Sequence, residues 1–320
     1  MTHSPIWQAR VRTLRYEAEG VLSIELVPAD GNHFPAFTAG SHVDVKLPNG
    51  LTRSYSLLNS EDESSRYVLG VLFDKGSRGG SRFVHEGLRC GAVLPISSPR
   101  NHFALDESAD ESVLIAGGIG VTPILSMYRR LRALGKVARV VYCARSHRQA
   151  AFIDEFNVLG GDVRYWFDDE HGGQPFDLDR FFADQPKGIH AYCCGPQPML
   201  AAYEAACAAA NLPNVHLERF AADPAVEHAA GPGYAVHLKR SGRTVLVPAG
   251  KRLLDTLLAA GVECDYSCRE GICGACEATV LEGTPEHRDS VLGEAEKNAG
   301  KTMMICVSGS KNGGKLVLDL

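Results

Sequence analysis

The 320-residue chain has no run approaching eighteen apolar residues, so no membrane-spanning helix is expected. It also lacks a strong charge of either sign. With 33 Lys and Arg against 38 Asp and Glu, the formal net charge is −5, which excludes the basic footprint of a nucleic-acid-binding protein. The opening residues Met1-Thr-His-Ser-Pro-Ile-Trp carry no basic stretch leading into an apolar core, so no secretory leader is expected. A disulfide framework is missing as well. There are 10 cysteines, but Cys193 and Cys194 are adjacent in an apolar run and four others have a different spacing logic. A cytoplasmic, reducing compartment is the expectation. The composition, 45% hydrophobic and 22% charged, is that of an ordinary globular protein, and 320 residues suit two or three domains.

What is present is concentrated in the stretch Cys268-Arg269-Glu270-Gly271-Ile272-Cys273-Gly274-Ala275-Cys276, followed far downstream by Cys306. C-x4-C-x2-C with a distant fourth cysteine is the plant-type spacing for a [2Fe–2S] cluster, with Cys268, Cys273, Cys276 and Cys306 as ligands. Three thiolates on one short loop can surround an inorganic core only if the backbone folds back sharply, and Gly271 and Gly274 permit that. Residues 303–307, Met-Met-Ile-Cys-Val, read as a strand carrying the last ligand. A zinc site would ordinarily pair two C-x2-C knuckles, and only one is present. Cys264, four residues before the first ligand, reads as a bystander, although a swap with Cys268 is conceivable. His287 and the other histidines fall on segments read as surface and receive no ligand role. A cluster passes single electrons, so the rest of the chain must supply them.

Residues 1–106 show short alternating runs, at 21–27, 41–47 and 66–72, separated by breaks such as Pro48-Asn49-Gly50. These predict antiparallel strands in a small barrel, interrupted by one helical segment at 80–87. Arg53-Ser54-Tyr55-Ser56 places a guanidinium and a phenol on one strand face, a pair suited to a phosphate and a flat ring. The loop 75–82, Lys-Gly-Ser-Arg-Gly-Gly-Ser-Arg, offers Gly79, Gly80 and Ser81 at a helix start, where backbone amides can cradle an anion. A solvated turn and an exposed strand are the plain alternative, but both features ask for the same single phosphate.

From 107 to 222 apolar runs at 113–116, 138–143, 163–166, 189–194 and 215–220 alternate with helical stretches at 123–134, 149–158 and 196–210. The pattern predicts a parallel, doubly wound sheet. Its first turn, Gly117-Gly118-Ile119-Gly120-Val121-Thr122-Pro123, is where a dinucleotide pyrophosphate sits over free helix amides. Pro123 departs from G-x-G-x-x-G but suits the first turn of a helix. Cys194-Gly195-Pro196-Gln197-Pro198-Met199 forms a second turn at the same carboxyl edge.

These motifs resemble the ferredoxin-NADP reductase-like flavoproteins, and in particular their FMN-binding members typified by phthalate dioxygenase reductase. Arg-x-Tyr-Ser followed by a Gly-Gly-Ser loop, Gly-Gly-x-Gly-x-Thr-Pro paired with Cys-Gly-Pro-x-x-Met, and the cysteine pattern cover nearly the whole chain in three blocks. The resemblance implies FMN rather than FAD, NADH as donor, and a Rieske-type oxygenase as a separate electron acceptor. It also implies that Thr122 and Cys194 lie near the nicotinamide and the flavin, and that Phe220 borders the flavin ring; core packing is the plain alternative for Phe220. The tip of the second strand of the sheet, Cys143-Ala144-Arg145-Ser146-His147-Arg148, bears no acid and so leans toward a 2′-phosphate, against NADH.

After a linker at 223–232, residues 233–320 read as a hairpin, a helix and the cluster loop, similar to a plant-type ferredoxin. Lys and Arg balance Asp and Glu there, eleven of each, so docking by a simple charge field is not expected. The expected fold is therefore multidomain: an antiparallel β-barrel flavin domain (1–106), an α/β doubly wound nucleotide-binding domain (107–222) and an α+β ferredoxin domain (233–320). Two alternatives stand beside it. One is an FAD reductase serving a cytochrome or a diiron monooxygenase; the other is a zinc-binding regulatory module without turnover.

Overall fold

The computed structural model describes residues 5–76, 78–221 and 231–320. The first four residues, Ser77 of the phosphate-loop motif and most of the expected linker lie outside that set. The chain divides into two compact units, Ser4–Phe220 and Ala221–Leu320.

The first unit opens with β1 (Ile6–Ala18), β2 (Val21–Pro28), β3 (His42–Lys46), β4 (Thr52–Ser56), β5 (Tyr67–Leu72), α1 (Gly80–Glu86) and β6 (Val93–Ser97). The strands are antiparallel in the order β4-β3-β6-β1-β2-β5. A bridge between Leu57 and Leu69 joins the two ends, and so closes the barrel. Alternation along the strands fills it: Ile24 and Leu26, Val43 and Val45, and Leu69 and Ile96 are at most 1% exposed.

A parallel sheet follows, built from β7 (Glu111–Gly117), α2 (Val121–Ala133), β8 (Val137–Ala144), α3 (Ile153–Leu159), β9 (Asp162–Phe167), α4 (Leu178–Ala183), β10 (His190–Cys194), α5 (Gln197–Ala209) and β11 (Asn214–Glu218). The order β11-β10-β7-β8-β9 reverses between β7 and β10, the switch point of a doubly wound sheet. Both faces are covered, so the inner strands read as continuous apolar runs. Leu114, Ala116, Val140 and Tyr142 pack on the core that includes α2 residues, whereas Val113, Ile115, Val141 and Cys143 face the core that includes α4 and α5 residues.

Two expected elements of this unit differ. The helix expected at 149–158 begins only at Ile153, because Phe152 takes a left-handed φ of 63° and turns its ring toward Gly70 of the barrel. The last strand ends at Glu218, so Phe220 lies beyond it and is 41% exposed.

The second unit comprises β12 (Tyr234–Leu238), β13 (Arg243–Val247), α6 (Leu253–Ala259), β14 (Glu277–Glu282), β15 (Pro285–Glu286), α7 (Glu294–Ala299), β16 (Thr302–Met304), β17 (Gly309–Ser310) and β18 (Leu316–Leu318). Its main sheet runs β13-β12-β18-β14-β16, with β12 and β18 parallel. Val236, Leu238, Leu257, Met303, Met304, Leu316 and Leu318 are fully buried between sheet and helix. Cys306, expected on a strand, lies instead in a turn after β16. The amides of Val307 and Ser308 both fold back to the Met304 carbonyl, at 3.2 and 2.9 Å. Among the described residues no helix is long and apolar enough to cross a membrane.

Candidate functional site

On β4 the four motif residues divide between two roles. Ser54 donates to Asp44 Oδ1 at 2.6 Å, and Asp44 is paired with Arg100 at 2.6 Å, so Ser54 points into a structural network. Arg53 lies against the start of α1: a Cβ at Gly80 would stand 2.6 Å from Arg53 Nε. The phosphate-loop amides and the guanidinium therefore share one space. Tyr55 is half-buried, and burial pushes its phenol up to about 12. Ser56 Oγ is buried with no hydrogen-bond partner among the described residues. A buried hydroxyl without a partner is costly, so this atom is suited to a ligand. The Ser81 hydroxyl accepts the Asp74 amide at 3.1 Å and so closes the loop on itself. A cation, an anion-binding turn, a flat ring and an orphaned hydroxyl fit a flavin carrying one phosphate.

At the carboxyl edge of the parallel sheet, the two glycine turns touch backbone to backbone. A Cβ at Gly120 would stand 2.1 Å from the Cys194 carbonyl oxygen. One at Gly117 would meet Met199 Sδ at 2.6 Å and Pro196 Cδ at 2.7 Å, and one at Gly195 would meet Met199 Sδ at 2.8 Å. Close approach, not only chain reversal, requires glycine here. α2 then begins at Val121, with Pro123 in its first turn, where a missing N–H costs nothing. Such a cradle fits a dinucleotide pyrophosphate.

Thr122 is 2% exposed and its hydroxyl donates to the Ile119 carbonyl at 3.1 Å. A Cβ at Gly70 would stand 2.6 Å from its methyl, so Thr122 joins the nucleotide turn to barrel strand β5. Cys194 is fully buried, and burial holds its thiol well above the usual range.

Directly across the β10–β11 ladder from Cys194 is Glu218, a residue the sequence motifs passed over. Its Oε2 is buried without a partner among the described residues, and desolvation pushes the carboxyl up to about 8. The signal available in the sequence is a lone acid ending a strand at the ligand-binding edge, two residues before Phe220.

In the second unit the cluster loop has left-handed backbone at Arg269, Gly271 and Gly274, with φ of 60°, 69° and 72°. At Gly271 a Cβ would also stand 2.6 Å from Val307 Cγ2, so the loop is packed down on the turn that carries Cys306. The Cys268 thiol is within hydrogen-bonding reach of those of Cys273 and Cys306, and Cys306 also reaches Cys276. Backbone amides point at the sulfurs: Glu270 N lies 3.3 Å from Cys268 Sγ, and Cys268 N lies 3.5 Å from Cys273 Sγ. No disulfide joins the described cysteines, and among the described residues no three His, Cys, Asp or Glu side chains are arranged to hold a single metal ion. Four thiols joined by close pairs, with amide donors at the Cys268 and Cys273 sulfurs, suit a cysteine-ligated cluster, in which such hydrogen bonds help set the potential. Cys264 packs instead with the core of this unit, and burial pushes its thiol up to about 11.

Behind the loop lies a second feature the sequence motifs missed. Asp289 has a fully buried side chain that accepts the amides of Leu292 at 2.9 Å and Val291 at 3.2 Å and the Ser308 hydroxyl at 3.3 Å. The Ser290 amide bonds to the Gly271 carbonyl at 2.9 Å, tying this corner to the loop. His287, expected at the surface, has a side chain only 8% exposed and lies 3.6 Å from Asp289 Oδ1. It is drawn inward because the short pair β15–β17 turns this segment toward the Ser308 turn.

A barrel with a flavin-shaped edge, a nucleotide-binding sheet and a cysteine-lined ferredoxin module together define an iron–sulfur flavoprotein reductase. Comparison with known proteins agrees. Residues 236–310 match the 2Fe-2S iron-sulfur cluster binding domain family. The phenoxybenzoate dioxygenase subunit beta of Ectopseudomonas oleovorans is 49% identical over 319 residues, covering 100% of this chain and 98% of that one. The tetrachlorobenzoquinone reductase of Sphingobium chlorophenolicum is 45% identical, covering 95% and 94%. Among solved structures, phthalate dioxygenase reductase is 36% identical with a TM-score of 0.71 and covers 98% of both chains. An intact type IV self-sufficient cytochrome P450 monooxygenase is 39% identical with a TM-score of 0.91, and this chain spans 41% of its length. The chain belongs to the phthalate dioxygenase reductase-like family of oxygenase reductases.

Proposed function

We propose that this chain is the NADH-dependent reductase component of an oxygenase system, with FMN and a [2Fe–2S] cluster as resident electron carriers and a separate Rieske-type oxygenase as acceptor, working in the cytoplasm. In this reading residues 1–106 hold the flavin, 107–222 bind the nucleotide, 223–232 link the units, and 233–320 hold the cluster. Bound together, the two groups supply the change from a two-electron donor to one-electron delivery.

The residues have separable tasks. Arg53 and the amides at Gly79 and Gly80 bind a single phosphate, and Ser81 fixes that loop. Tyr55 lines the ring face and Ser56 offers its unpaired hydroxyl, while Ser54 holds the strand through Asp44. Gly117, Gly118 and Gly120 with Gly195 and Pro196 admit the dinucleotide. Thr122 sets the distance between barrel and nucleotide turn, and Cys194 forms the apolar floor where the two turns meet. Glu218, beside it, is protonated below its raised pKa and so keeps an uncompensated charge out of that floor. Phe220, exposed past the last strand, is available to cover the ring. Cys268, Cys273, Cys276 and Cys306 ligate the cluster.

The observation that carries this reading is the convergence of four thiols, from a tight loop and a distant turn, beneath amide donors. An anaerobic visible spectrum before and after adding NADH tests it. A flavin band and a cluster shoulder, both bleached by NADH, are expected; a colourless protein retaining zinc would overturn it. A second reading, with a cytochrome P450 as acceptor, is favoured by the likeness to part of the self-sufficient cytochrome P450 monooxygenase. Reduction of a haem partner at a rate no Rieske oxygenase matches would select it.

A further inference from the structure

α2 meets the barrel at two places. Thr122 stands in its first turn, at the nucleotide cradle, and Arg129 follows seven residues later. Seven residues are close to two helical turns, so the two side chains share a face and lie about 10 Å apart along the axis. At the first place the Thr122 methyl and the Phe152 ring close on Gly70 of β5, where a Cβ would stand 2.6 and 3.1 Å from them. At the second, Arg129 Nε donates to the Leu58 carbonyl at 3.2 Å, and Nη2 donates at 2.5 Å to Glu155 in the first turn of α3. Leu58 comes two residues after the end of β4 and gives its own amide to the Val68 carbonyl of β5 at 3.0 Å. Beside these contacts lies a polar cavity of about 170 Å³, whose lining includes Thr13, Glu17, Arg66, Arg129, Phe152 and Glu155. Open polar space cannot hold a spacing as close-packed side chains do, so a guanidinium carries the contact there. On the next residue Arg130 Nε reaches Glu61 Oε1 at 3.0 Å, and Glu61 also accepts the Ala39 amide at 2.8 Å.

We propose that Arg129 is a positioning residue for hydride transfer. One contact, at Thr122, fixes a distance between helix and barrel; a second, two turns along the same face, also fixes the angle. Arg129 thus keeps α2 from pivoting about Gly70 and holds the nucleotide turn square to the flavin edge. Its pair with Glu155 alone would be an ordinary ion pair of small weight. The bond to Leu58 differs, because it joins the continuation of β4, the strand of Arg53, Tyr55 and Ser56, to the helix that the glycine turn opens into. A lysine could keep one of the two bonds but lacks the planar fork that makes both. The assignment rests on the reading that NADH reduces a flavin held at this barrel edge.

The test is rapid-mixing reduction of the holoprotein over a range of NADH concentrations, together with amide hydrogen exchange of the same protein before NADH is added. In R129A the limiting rate of flavin reduction should fall about ten- to a hundredfold, as a misplacement of about an ångström can cause. The NADH concentration at half-saturation should stay within about threefold of wild type, the split that marks an interaction felt in the reaction and not in binding. R129K, which keeps a donor for Leu58, should recover part of the rate, and R129Q serves if R129A does not fold. Exchange at 57–61 and at 117–122 should rise together in R129A. The control is R139A, which breaks contacts to Glu111 at 2.7 Å and Gln185 at 2.6 Å within the nucleotide-binding sheet and its flank. It should lower Tm without slowing flavin reduction or raising exchange at those two segments. A limiting rate in folded R129A and R129Q within about threefold of wild type, or a loss confined to half-saturation, would overturn the assignment. So would an equal slowing in R139A, which would make the effect one of general stability. A wild type that holds flavin but is not reduced by NADH would remove the underlying reading and the assignment with it.

Discussion

Gly120 is the residue whose replacement most directly tests the paired-turn arrangement. Its φ is −60°, within the reach of any residue, so a substitution there strains nothing in the backbone. The obstacle is steric. An alanine Cβ would stand 2.1 Å from the Cys194 oxygen, 2.4 Å from its carbonyl carbon and 2.8 Å from Gly195 N. All three are backbone atoms, which cannot swing aside as a side chain does. Restoring an ordinary contact requires the two turns to separate by about an ångström, and overpacking of this kind costs about 1–3 kcal/mol. For a unit of this size that is a fall of roughly 2–10 °C in Tm.

The functional cost should exceed the stability cost. A misplacement of about an ångström in a binding frame can lower a rate about a hundredfold. Rapid-mixing reduction of the flavin by NADH, read at the flavin band, should show that loss in Gly120→Ala, with flavin content preserved because the barrel edge is untouched. Gly118→Ala is the control. There φ is 53° and a Cβ meets open space, so strain of about 1–2 kcal/mol is expected without separation of the turns. If Gly120→Ala reduced its flavin as fast as wild type, contact between the turns would not govern nucleotide placement.

Cys273→Ser should abolish cytochrome c reduction while sparing NADH-to-ferricyanide activity; equal loss of both in folded protein that retains its flavin would contradict the order of carriers. Ser56→Ala removes a buried hydroxyl that has no partner among the described residues, so stability without flavin should be unchanged or slightly raised while flavin affinity falls about tenfold, as measured by fluorescence titration. The Glu218 carboxyl, raised to about 8 from 4.5, binds a proton in the folded state that the unfolded state releases. Its contribution to stability is therefore intact below about pH 4.5 and is lost as pH rises through about 8. Denaturation of wild type and Glu218→Gln between pH 5 and 8.5 should diverge, wild type falling more steeply; parallel profiles would mean that the carboxyl titrates normally.

The features legible in the sequence share one property: each is a demand on the backbone within a few residues. The cluster loop needs left-handed glycines between closely spaced cysteines, and the dinucleotide turns need glycines where two chains touch. Both leave a spacing that survives without knowledge of the fold. The phosphate site proposed at Arg53 and 79–81 is readable because two local motifs ask for the same anion. Ser54 was not separable from its neighbours until pairing with Asp44 showed which way it points. Cys306 reads as a strand residue because its neighbours are apolar, but those residues are buried by a turn whose amides return to Met304.

The remaining residues matter through partners distant in sequence, and that distance hid them. Glu218 is ordinary until β11 sets it beside Cys194. His287 looks like a surface histidine until the β15–β17 pair brings it to Asp289, behind the cluster loop. The ends of β8 and β9 are a third case: the ladder that sets Ala144 opposite Phe167 brings Arg145 and Asp168 off the carboxyl edge side by side, and no spacing within either segment reveals that neighbourhood.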